Sequence, residues 1–105
     1  MSEWVSVAQL SDVPEGMLVG VSVQGVEAIV ANTGDGYHCV GAVCPHAGCS
    51  LATDGGLEGD TVVCFCHGSI FDLKSGEVVS PPAEEGIDVY DVRVDGDAIL
   101  VARRG

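Results

Sequence analysis

Apolar and polar residues alternate along most of this chain in short segments separated by clusters of Gly, Asn, Asp and Ser. A period of two marks half-buried strands, whose successive side chains point to opposite faces. Trp4, Val5, Val7 and Leu10 begin the pattern. Residues 18–23 and 26–31 carry it on either side of Gln24-Gly25, which predicts a hairpin. A turn over 32–36 leads into a strand over 37–40, and 57–63 reads as one returning strand. Residues 70–73 follow, and Lys74-Ser75-Gly76 turns the chain into 77–79. Segments 87–94 and 98–101 flank Asp95-Gly96-Asp97, a second hairpin signal. No helix longer than a turn or two is expected. The fold class is therefore all-β, an antiparallel β-sandwich framework, and 1–105 reads as a single domain.

Two loops interrupt this framework with a different chemistry. Cys44-Pro45-His46 and Cys64-Phe65-Cys66-His67-Gly68 each bring a thiol and an imidazole, and the 17 residues between them, 47–63, contain Gly48, Gly55, Gly56 and Gly59. A stretch that rich in glycine turns back readily, so the loops can face each other. Two Cys and two His can hold a [2Fe-2S] cluster in which the histidines replace thiolates on one iron. The same inventory can hold a tetrahedral zinc ion. Zinc fingers usually pair Cys with Cys at one knuckle and His with His on a helix, whereas here each loop supplies one of each, and Gly and Pro speak against a helix over 41–48. Mixed ligation of two ferric ions and two sulfides sums to zero charge, which makes electron uptake easier than in an all-cysteine cluster.

The segments CPHAGCSL (44–51) and CFCHGSIFDLKSGEVVSPP (64–82), with Gly34 and Tyr37 before them and Tyr90 and Gly96 behind, resemble the Rieske-type iron-sulfur proteins. The resemblance implies the Rieske fold, with a cluster-binding region over about 42–82 built from two ligand loops and a proline-containing loop at Pro81-Pro82. It implies one [2Fe-2S] cluster per chain, with Cys44 and Cys64 on the buried iron and His46 and His67 on the outer one. Cys49 and Cys66 match the pair that forms a disulfide in respiratory and photosynthetic relatives and that many dioxygenase ferredoxins lack. Two buried thiols in a reducing compartment are the alternative. Gly48 and Gly68 are expected to take unusual backbone angles or to approach sulfide closely. Ser69 matches a serine that donates to a bridging sulfide in high-potential relatives, while Phe71 stands where those carry a tyrosine, so a lower potential is expected. Pro81-Pro82 could equally be a rigid turn. Cys39 is expected to be a small buried hydrophobe, His38 a strand surface residue, and Asp72 and Lys74 structural.

Composition narrows the function. Sixteen acidic against four basic residues give a formal charge of -12, which repels nucleic acid and anionic lipid and permits steering toward a basic redox partner. No apolar run approaches the ~18 residues of a membrane span, and residues 1–9 show no signal segment, so neither membrane insertion nor secretion is expected and a cytoplasmic location is the default. By resemblance the chain is not itself an enzyme. It would be a one-electron carrier between a flavin-containing reductase and a terminal oxygenase such as an aromatic-ring dioxygenase. A small electron-transfer subunit of a nitrite reductase or other redox complex is the second reading, and a structural or redox-sensing metal module the third.

Overall fold

Residues 28–31 are buried at every position, which a strand packed on one face cannot achieve. Ile29 and Ala31 face one core, Ala28 and Val30 the other, so this strand is the partition between two apolar clusters. The computed structural model containing it describes residues 4–43, 49–66, 68–81 and 85–103.

One sheet is built from β1 (Val5–Gln9), β2 (Leu18–Val23), β3 (Val26–Asn32), β4 (Tyr37–Gly41), β9 (Val89–Asp95) and β10 (Ala98–Arg103). It is antiparallel in the order β1-β10-β9-β4-β3-β2, and it curls until its edges β1 and β2 approach each other. Val13, Val30, Cys39, Tyr90, Ile99 and Val101 fill the inside of that curl. The β2–β3 hairpin turns on Gln24 and Gly25 at φ +51° and +85°, the left-handed pair of a two-residue turn whose twist matches the strands.

The second sheet is an insertion between β4 and β9, which are neighbours in the first. A one-turn helix α1 (Leu51–Asp54) precedes β5 (Gly55–Glu58), β6 (Thr61–Cys64), β7 (Ile70–Asp72) and β8 (Val78–Ser80), paired in that order. Phe71, Leu73, Val62 and Leu51 pack from this insertion against Ile29 and Val40 of the first sheet. Each such fully buried side chain contributes about 1.5–3 kcal/mol of burial free energy. Among the described residues no helix is long and apolar enough to cross a membrane.

Two details differ from the strand pattern expected above. Residues 57–63 are not one strand but the hairpin β5–β6, because Gly59-Asp60 forms a two-residue loop and Glu58 pairs back on Thr61. Strand β9 begins at Val89 rather than 87, since the Ile87 N–H is drawn to the Gly76 carbonyl at 2.8 Å across the β7–β8 turn.

Candidate metal centre

The two flanks of the first Cys-x-His segment, residues 43 and 50, meet beside the end of β4. Val43 and Ser50 form an antiparallel bridge, and the Leu51 N–H donates to the Ala42 carbonyl at 2.6 Å. Ser50 anchors the return. Its hydroxyl donates to the Glu27 carboxylate at 2.9 Å and accepts from the Ala52 N–H at 3.2 Å, capping α1.

The second loop closes in the same manner at the top of the β6–β7 hairpin. Val63 pairs with Ile70, the Cys64 N–H donates to the Ser69 carbonyl, and the Gly68 N–H donates to the Cys64 carbonyl, both at 2.8 Å. Gly68 has φ +82°, and a Cβ there would meet nothing within 4 Å. Backbone conformation, not crowding by protein atoms, is what calls for glycine.

A disulfide between Cys49 and Cys66 ties one loop to the other. Cys64 stands beside it, 1 % exposed, and the three sulfurs lie within 4.8 Å of one another. Two of them are consumed in the bond, so this trio is not a set of three thiolate ligands. Ser69 is fully buried, as is Phe71, and Pro81 is exposed at a bend. Cys44, His46, Gly48, His67 and Pro82 lie outside the described residues.

The comparison with known families settles what this arrangement belongs to: residues 3–91 match the Rieske [2Fe-2S] domain. The chain belongs to that family. A naphthalene 1,2-dioxygenase/salicylate 5-hydroxylase ferredoxin component from a Ralstonia species is 31 % identical over 98 residues, 93 % of each chain. The ferredoxin of carbazole 1,9a-dioxygenase from Nocardioides aromaticivorans IC177 superposes with a TM-score of 0.89 at 31 % identity, covering 98 % of this chain and 100 % of that one. A ferredoxin solved in complex with the oxygenase of carbazole 1,9a-dioxygenase matches with a TM-score of 0.88 at 28 % identity, over 97 % and 96 %.

The described part of this Rieske domain fits a cluster of the family's type. A soft sulfur donor, Cys64, is buried in the apolar layer of Val62, Leu51 and Phe71. Both loops that carry the remaining Cys and His are closed at their bases and tied together covalently.

Other expected features sit away from the loops. Cys39 is buried in the first sheet, and desolvation pushes its thiol up to about 12. Asp72 is structural: one carboxylate oxygen accepts from the N–H groups of Lys74 and Ser75 at 2.7 and 3.1 Å, shaping the β7–β8 turn. His38 lies on β4 as expected, but its ring is only partly at the surface. It is half-buried, and its Nε2 is buried with no hydrogen-bond partner among the described residues. Burial, and then the Lys74 ammonium, hold its pKa below the usual value against the opposing pull of Asp60, Asp72 and Asp35. The insertion folds its turn back toward β4, a contact too distant in sequence for periodicity to reveal.

Phe65 was not singled out by sequence reasoning, yet it is 68 % exposed beside Cys64 and Cys66. The signal was there in the alternation of 61–66: if Val62 and Cys64 point inward, Val63 and Phe65 point out.

Proposed function

We propose that this protein is the ferredoxin component of an aromatic-ring dioxygenase system, a cytoplasmic carrier that takes single electrons from a flavin-containing reductase and delivers them to a terminal oxygenase. The observation that carries the reading is the similarity, almost end to end, to ferredoxin components of aromatic-ring dioxygenases, in a chain that buries Cys64 at the base of a closed loop. Cys44 and Cys64 would hold the inner iron, His46 and His67 the outer one. When bound, the cluster supplies a one-electron couple at about -150 to +300 mV, above plant-type ferredoxins.

The chain's own residues tune and protect that couple. Phe71 and Leu51 exclude water from the side of Cys64, and Ser69, fully buried next to the loop, would favour the reduced state by donating its hydroxyl to a bridging sulfide. Phe71 brings no phenol to a cysteine sulfur, which keeps the potential below the upper end of the range.

Purified protein should contain two irons and two labile sulfides per chain and accept one electron. C64S and C44S should each abolish assembly, as read by visible absorption and iron analysis. Colourless protein with one tightly bound zinc would refute the assignment. Reconstitution with a reductase and an oxygenase should show oxygenase reduction that depends on this chain; its absence would refute the carrier role alone.

A further inference from the structure

We infer that Phe65, seated on Gly56, is an apolar docking contact for the terminal oxygenase that receives the electron, an inference that rests on the carrier reading above. The backbone at Phe65 is held, its N–H donating to the Asp54 carbonyl at 2.7 Å. The register Gly55↔Cys64 and Gly56↔Val63 turns Cys64 into the core and puts Phe65 on the outer face of the edge strand β5. The ring occupies the space a side chain at 56 would need: a Cβ on Gly56 would stand 2.5 Å from Phe65 Cζ and 3.1 Å from Cε2. One face of the aromatic is thus fixed on backbone, and the residue as a whole stays 68 % exposed, the most of any large apolar residue described.

Covering an edge glycine with an aromatic ring is a stabilising device in its own right. It explains the contact with Gly56 and leaves the outward exposure unexplained. A single exposed apolar residue is ordinary on a protein surface. This one is flanked by Cys64 and Cys66, so a partner that approaches the second loop closely enough to exchange an electron meets it. Because one face of the ring already packs on Gly56, docking on the other face costs less side-chain entropy than docking on a free aromatic would. Its surroundings indicate the occupant: Asp54, Glu58 and Asp60 are exposed along α1, β5 and the turn that follows, in a chain of formal charge -12. The matching surface on the oxygenase is an apolar hollow rimmed by Lys and Arg.

The test uses the cluster-loaded protein, reduced and mixed in stopped flow with a panel of purified aromatic-ring terminal oxygenases, and separately with ferricyanide, a small oxidant that needs no docking surface. F65A should lower the second-order rate with the oxygenase about tenfold, the loss of ~1.4 kcal/mol expected of a moderate interface anchor. F65Y, which keeps the ring, should restore the rate to near wild type, and G56A, which must lift the ring, should lower it. Ferricyanide rate, reduction potential and visible spectrum should stay unchanged in all three. An F65A protein that reduces the oxygenase as fast as wild type would overturn the docking role and leave the carrier role standing. Wild-type protein that reduces none of the oxygenases would overturn the carrier reading and the docking role with it.

Discussion

Cys39 and His38 are neighbours on β4 and experience burial in opposite ways. The Cys39 thiol, pushed up to about 12, should resist alkylation in the native protein at mildly alkaline pH and react only after unfolding, which peptide mapping of iodoacetamide-treated protein would show. His38 is held below the ordinary histidine value of about 6.5. The unfolded chain therefore binds the proton more readily than the folded one, and stability is lost as pH falls through about 6.5 toward the lowered folded value. Above that window both states are neutral and the residue contributes no pH dependence. Urea midpoints of wild type and H38Q at about pH 7.5 and 5.5 should show the smaller loss in H38Q. Neither environment is visible in residues 37–40 alone, because Cys39 is enclosed by residues of other strands such as Val30, Tyr90 and Ile99, and His38 faces Lys74, Asp60 and Asp72 of the inserted sheet.

At the level of elements, the disulfide and the loop bases perform distinct tasks. The ladders at 43/50 and 63/70 shape each loop separately, and Cys49–Cys66 is the covalent bond between them. Removing it in C49S/C66S should cost about 3 kcal/mol of apoprotein stability, from a cross-link spanning 17 positions, and should accelerate cluster loss. Chemical denaturation and the decay of visible absorbance would measure the two effects independently. The hairpins were readable in advance because their determinants are local: Gln24-Gly25 and Asp95-Gly96-Asp97 sit between alternating segments and turn where they should. The β5–β6 hairpin was not, because Gly55 and Gly56 look like linker until their partners Cys64 and Val63 are supplied by the fold. A glycine in a strand has no side chain to announce its face.

The whole molecule is an acidic body with a small inserted sheet flanked by the two Cys/His segments. Its formal charge of -12 should make electron transfer to a basic partner fall as ionic strength rises from about 0.01 to 0.3 M, while transfer to a neutral small acceptor barely changes. Stopped-flow rates over that range would test it; a rate with the protein acceptor that rises with salt would contradict attractive steering. Short-range chemistry was enough to establish the all-β class, the main hairpins and the family, since period-two alternation, turn residues and the spacing of Cys44, His46, Cys64 and His67 are properties of adjacent positions. What required the folded chain is non-local: the insertion between β4 and β9, the half-buried setting of His38 with its enclosed Nε2, and Phe65 resting on Gly56. Each depends on which surfaces meet after the strands have formed. That choice is made by the summed packing of two apolar cores, which no single stretch of sequence encodes.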